Sequence, residues 1–100
     1  MMLYAIVGHD GPDALPRRRE QRPAHLERIR ALVDAGRLLL AGPLPAIDSP
    51  DPGPAGFAGS LIVAEFASLA EARAWIAADP YVTAGIFSSV DVQPFVKVAP

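Results

Sequence analysis

Cysteine is absent from the 100 residues, histidine occurs only twice and tryptophan once. Without cysteine there is no disulfide scaffold, no thiolate zinc site, no cysteine-ligated iron–sulfur cluster and no cysteine nucleophile. An excess of either charge is missing as well: nine Lys/Arg face eleven Asp/Glu, a formal net charge of -2. A cationic module that grips phosphates by bulk electrostatics is therefore not expected, and no nucleic-acid partner is assigned. No apolar run approaches the ~20 residues of a membrane helix. The opening MMLYAIVGHD lacks a basic segment followed by a full apolar core, so no secretory signal is expected. These absences point to a cytoplasmic protein with no membrane partner.

Apolar residues and proline, in contrast, are plentiful, at 51% and 11 residues. The length suits a single domain spanning residues 1–100. A chain of this size buries only roughly 60–65% of its unfolded surface. So much apolar side chain in so small a core asks for a second place to go.

The pattern along the chain divides it clearly. Leu3-Tyr4-Ala5-Ile6-Val7 reads as a strand that ends at Gly8. Leu26, Ile29, Leu32 and Val33 recur at helical steps, which predicts a helix over about 22–35, opened by Pro23 and closed by Gly36. Arg37 to Ala41 reads as a second strand stopped by Gly42-Pro43, and Ser60 to Phe66 as the strongest strand. Five prolines and four glycines crowd residues 42–59, which suggests an ordered loop over a working surface. Ser68-Leu69-Ala70-Glu71 is a capping-box pattern that starts a helix running to about Ala78, where Asp79-Pro80 stops it. A last strand falls within 88–98, with Pro94 marking an edge or a bulge.

The order βαββαβ predicts an α+β, ferredoxin-like sandwich, with two helices on one face of a four-stranded sheet. The other face lacks cover, and Leu38-Leu39-Leu40 and Leu61-Ile62-Val63 do not alternate with polar residues. A homodimer packed sheet to sheet is the expected partner arrangement.

Chemistry has few candidates. His25 lies on the edge or face of the first helix stripe, and Asp79 just past the second helix. In this fold the helices lie side by side, so the two can meet; a carboxylate beside an imidazole fixes its tautomer and makes it a general base. Asp34, nine residues on, is ~13 Å along the axis and too far for contact. His9 follows the first strand and is expected near the same end. Backbone amides from the turn at Gly42-Pro43 could approach an anionic oxygen, and Tyr81 could offer a phenol. Arg17-Arg18-Arg19 with Arg22 is read as a solvated turn, or as an attractor of acidic substrates. Gly53 to Gly59 precedes a strand and lacks the Lys-Ser/Thr of a phosphate loop. No metal-ligand spacing and no nucleophile elbow are present, so neither metal nor cofactor is expected. Each candidate also has a purely structural role open to it, such as a helix stop for Asp79.

Several segments in sequence, Arg22-Pro23-Ala24-His25-Leu26, Gly36-Arg37-Leu38-Leu39 and on through Gly42-Pro43, Asp51-Pro52-Gly53, Gly56-Phe57-Ala58-Gly59-Ser60 and Ala78-Asp79-Pro80-Tyr81, resemble the YCII-related family over essentially the full chain. The resemblance implies a ferredoxin-like domain of the dimeric α+β-barrel type. It places the family's histidine on His25 and its aspartate on Asp79. Some relatives remove hydrogen chloride from chlorinated hydroxyquinones, and similar folds isomerise muconolactone. The expectation is a cofactor-free lyase or isomerase for a small cyclic, phenolic or anionic metabolite. His25 and Asp79 would be catalytic, and Gly42, Pro43, Tyr81 and His9 would bind substrate. A non-catalytic, metabolite-binding homodimer is the rival reading. A His25–carboxylate separation below ~3.2 Å beside a cleft favours the enzyme.

Overall fold

Residues 1–100 are all described by the computed structural model. Four strands form one sheet: β1 (Met2–Asp10), β2 (Leu38–Pro45), β3 (Phe57–Phe66) and β4 (Phe87–Phe95). Their order is β2-β3-β1-β4, and every neighbouring pair is antiparallel. Helix α1 (Leu15–Asp34) connects β1 to β2, while α2 (Leu69–Ala77) and the short α3 (Pro80–Thr83) connect β3 to β4. This is the ferredoxin-like α+β arrangement.

Burial alternates along β1, as a half-covered sheet requires; in β3 it does not, since Val63 of the open face is buried along with Ile62 and Ala64. Tyr4 and Ile6 of β1, Ile62, Ala64 and Phe66 of β3 and Val92 of β4 point toward the helices. There they meet Ile29 and Leu32 of α1, Ala72 and Ile76 of α2 and Tyr81 of α3 in one continuous core. At the crossing of the two central strands the backbones come unusually close. A Cβ on Gly59 would overlap the carbonyl oxygen of Gly8, and one on Gly8 would overlap the ring of Phe87.

The opposite sheet face carries no helix. The strand register draws two rows across it, Leu40–Val63–Ala5–Gln93 and Gly42–Leu61–Val7–Asp91. The β2 side of this face is apolar and the β4 side polar. Leu39, Leu40, Leu44 and Phe95 are exposed. The unbroken Leu38-Leu39-Leu40 run has a local cause: two residues of β2 oppose one step of β3, a bulge that reverses the alternation.

Several boundaries differ from the expectation. Helix α1 begins at Leu15, not near 22, so the arginine-rich segment is helical rather than a turn. Pro16 opens it, and Pro23 sits inside it on the exposed side. Pro23 has no N–H for the Arg19 carbonyl, and solvent can supply the missing donor there. Strand β2 continues through Gly42-Pro43 to Pro45, because an edge strand can turn the donorless side of proline to solvent. Beyond the Asp79-Pro80 stop the chain turns helical again, and Tyr81-Val82 belong to the short helix α3.

Strand β1 runs on through Gly8 to Asp10, and β3 begins at Phe57 rather than Ser60. The glycine after α1 and the serine before α2 act as the residues predict. Gly36, at φ 69°, follows α1. Its N–H bonds the Val33 carbonyl and that of Arg37 the Leu32 carbonyl, a Schellman closure. Ser68 caps α2 by accepting the Glu71 N–H at 3.1 Å.

Candidate functional site

The side of α1 turned toward the sheet and the cleft reads Leu15, Arg18, Arg22, His25, Ile29, Leu32, in alternating steps of three and four, with Arg22 exposed at the rim. Such steps keep all six side chains on one face. Apolar residues at the two ends seat the helix on the sheet, and the three in the middle are basic. Val33, expected on this stripe, faces solvent instead.

His25 is buried, and its Nδ1 lies 2.9 and 3.0 Å from the two carboxylate oxygens of Asp79. Asp79 reaches it from 54 residues away in sequence through its place as the N-cap of α3. There its Oδ1 accepts the Tyr81 N–H at 2.9 Å. Pro80 at the first helical position fixes this entry. Arg28, one turn beyond His25 on α1, donates from Nη1 to Asp79 Oδ2 at 2.9 Å and from Nη2 to the Trp75 carbonyl at 2.8 Å. Its guanidinium lies over the Trp75 ring.

Asp79 is completely buried. Burial alone would push its carboxyl up, but three influences together outweigh it: the His25 hydrogen bond, the Tyr81 N–H, and the charges of His25 and Arg28. The result is a carboxyl held below the usual range, ionised at neutral pH. An ionised Asp79 accepts a hydrogen bond from Nδ1–H, the tautomer whose lone pair lies on Nε2. No group of the chain hydrogen-bonds Nε2, and it is not sealed from solvent.

Nε2 belongs to a ring that borders a cleft of about 190 Å³ between α1 and β2. Leu26 and Ile29 line one side, Ala41, Gly42 and Pro43 another, with Ser60, Ile62 and Tyr81 below. The Tyr81 ring stacks on the imidazole, with centroids 4.0 Å apart and planes 8° from parallel. Burial pushes the Tyr81 phenol up, partly offset by Arg18 and Arg22, so it is neutral at neutral pH.

Arg18 forms the second buried polar knot. Its Nε and Nη2 grip the Asp10 carboxylate at 2.9 and 2.8 Å, and Nη2 also reaches the Gly59 carbonyl and Ser60 Oγ, both at 3.0 Å. The guanidinium packs against the rings of Phe57, Tyr81 and Phe87. This knot ties the floor of the cleft to the ends of β1 and β3.

Of the residues singled out from sequence, His25 and Asp79 are in direct contact, and Gly42, Pro43 and Tyr81 border the same cleft. Gly42 does so through its backbone alone. His9 is elsewhere. It lies on the open sheet face, half-exposed, with Nε2 2.9 Å from Asp91 Oδ2. The cause is strand parity: Gly8 points toward the helices, so His9 points away. Arg18, grouped from sequence with a solvated or substrate-attracting arginine cluster, is instead a buried clamp on Asp10; Arg28, Ser60 and Asp10 carry no expectation from sequence. Extending the α1 stripe backward from Ile29 lands on Arg18, but Pro23 hides the continuity. Arg28 and Ser60 carry no local signal.

Comparison with known proteins bears on the family and the fold. The YCII-related domain matches residues 2–96. Protein YciI of Escherichia coli O6:H1 and that of Shigella flexneri are each 58% identical over 97 residues, covering 97% of this chain and 99% of theirs. A Haemophilus influenzae protein is 47% identical over the same length. Among solved structures, 5-chloro-2-hydroxyhydroquinone dehydrochlorinase (TftG) from Burkholderia phenoliruptrix, in complex with 2,5-dihydroxybenzoquinone, superimposes with a TM-score of 0.82. It is 28% identical, and the match covers 95% of this chain and 94% of that one. With this match across its length, the chain belongs to the YCII-related domain family.

Proposed function

We propose that the protein is a cofactor-independent proton-transfer enzyme, lyase- or isomerase-like, acting on a small hydroxylated cyclic compound. The observation that carries this reading is the buried Asp79–His25 pair, which leaves Nε2 as a free base at a cleft. The cleft is of ring size, since an apolar cavity of about 150 Å³ accommodates benzene. The kinship with a dehydrochlorinase that binds a dihydroxybenzoquinone adds support for the substrate class.

In this scheme Nε2 takes a proton from a ring carbon or hydroxyl, and the electron pair left behind moves into the ring. Either a leaving group departs with its bonding pair, or the proton returns at another ring position. Asp79 keeps its charge throughout and balances the imidazolium. Tyr81 holds the imidazole plane by stacking, while Gly42 and Pro43 form the opposite wall. General base catalysis of this kind supplies ~10²–10⁴-fold.

His25→Ala should therefore lower turnover of a responsive substrate, drawn from halogenated hydroxyquinones and lactones, by ~10²–10⁴-fold. Undiminished turnover in that variant would remove His25 from the mechanism. Ligand binding by the wild type without any turnover would favour the metabolite-binding reading.

We also infer a homodimer through the open sheet face, supported by the row of exposed and half-exposed apolar side chains on its β2 side. Sedimentation at micromolar concentration should give twice the chain mass, and Leu40→Asp should give the monomer. A monomeric wild type at that concentration would refute the pairing.

A further inference from the structure

Four of the nine basic residues, Arg17, Arg18, Arg19 and Arg22, fall at the start of α1. Two are satisfied within the chain: Arg17 donates to the Gly85 carbonyl, and Arg18 is held by Asp10. Arg19 and Arg22 have no hydrogen-bond or ion-pair partner, as the four ion pairs of the chain involve other residues. The nearest acids do not neutralise them. Asp10 is committed to Arg18, and neither Asp13 nor Glu20 is in an ion pair.

This concentration of positive charge also opposes the helix. The first turn of α1 holds no acidic residue, although carboxylates are the groups that the positive end of a helix favours. Arg19 and Arg22, three residues apart, share a face and repel each other. An arrangement unfavourable to the free chain becomes favourable once an anion lies between the two.

There is a cavity at that place. Arg19 and Arg22 border a lobe of about 140 Å³ whose walls include Leu15 and Phe57. Arg18, Arg22, Pro43 and Tyr81 border both this lobe and the His25 cleft, so the two adjoin. Apolar walls strengthen a charge interaction by lowering the local dielectric.

We propose that this lobe binds an oxyanion substituent of the substrate, a carboxylate or a phosphate, on Arg19 and Arg22 while the ring lies against His25. The inference rests on the His25 cleft taking a ring. It defines the substrate class further: a cyclic acid, not a neutral phenol. Guanidinium forks match both oxyanions with paired, charge-assisted hydrogen bonds. Arg22, bordering both lobes, is then the residue that sets specificity.

Calorimetric titration of the full chain with 2,5-dihydroxybenzoate, phenyl phosphate and hydroquinone tests this. At least one anionic probe should bind about tenfold or more tighter than hydroquinone at low salt, and added salt should shrink the advantage. Which anion gains more identifies the carboxylate or the phosphate as the natural group. Both arginines are exposed, so Arg19→Gln/Arg22→Gln should keep the fold, as circular dichroism would verify. That variant should bring anionic and neutral probes to within about twofold. An anionic advantage that is absent in the wild type, or that survives intact in the variant, overturns the proposal. His25→Ala should retain the anionic advantage while losing turnover, so failure of the base and failure of the anion site are told apart.

Discussion

Asp79→Asn should lower the free energy of unfolding by about 3–5 kcal/mol, the range for breaking one side of a buried ion pair. Asparagine preserves the size of the side chain and its capacity to cap α3. What it loses is the charge, and with it one of the two acceptor oxygens. At present Oδ1 serves the Tyr81 N–H while Oδ2 serves Arg28, and His25 bridges both. An amide nitrogen at either place would face a donor. Arg28 would remain half-buried without a counter-charge. Urea denaturation measures the effect, and a loss below about 1 kcal/mol would mean that the pair contributes no more than a surface contact.

The same residue governs the acid limb of stability. Its carboxyl is held below the ordinary value of about 3.9 in the fold. Above that ordinary value both folded and unfolded chains are ionised, and the stabilisation is fully present. As pH falls below it, the unfolded chain takes up the proton first, and the stabilisation is lost on the way to the lower folded value. Wild-type stability should therefore decline over this acid interval, and Asp79→Asn should decline less steeply.

Arg18→Met should be comparably destabilising, by about 3–5 kcal/mol. Methionine can replace the packing of the stem against Phe57, Tyr81 and Phe87. It cannot replace the two hydrogen bonds to Asp10, whose side chain is only 4% exposed, or those to Gly59 and Ser60. The uncompensated carboxylate is the dominant cost. Adding Asp10→Asn in the same chain should recover part of the loss, and that double-mutant cycle isolates the pair from the packing. Full additivity of the two changes would show that Asp10 and Arg18 are not coupled.

The cap of α2 and the glycine that closes α1 were legible in the chain because each is a local contest between backbone and neighbouring side chains. Ser68 and Gly36 decide their helix ends within a few residues, and the burial of Tyr4 and Ile6 follows from strand parity. The start of α1 was not legible for the opposite reason. Pro23 is a strong local signal against a helix interior, overruled by the tertiary seating of Leu15 and Ile29 at either end of the stripe. His25 and Asp79 could be picked out as the scarce chemistry-bearing groups, and the family likeness paired them. Arg28 and Ser60 enter only through contacts between elements far apart in sequence, which no spacing rule encodes. His9 looked equivalent to His25 as a titratable side chain, yet one residue of strand parity sends it to the other face of the sheet.

The stripe along α1 has a further consequence for what the site can accept. Arg22 and His25 are separated by three residues, a rise of about 4.5 Å along the axis, comparable with the breadth of a six-membered ring. On the proposed reading, the spacing between base and anion anchor is therefore a property of the α-helix itself, not of a loop that could stretch. A single residue inserted between them would swing one group about 100° around the axis from the other. Substrate size is in this sense measured by the helix, and new specificities are open to exchanges of side chain along that face but closed to changes in its length.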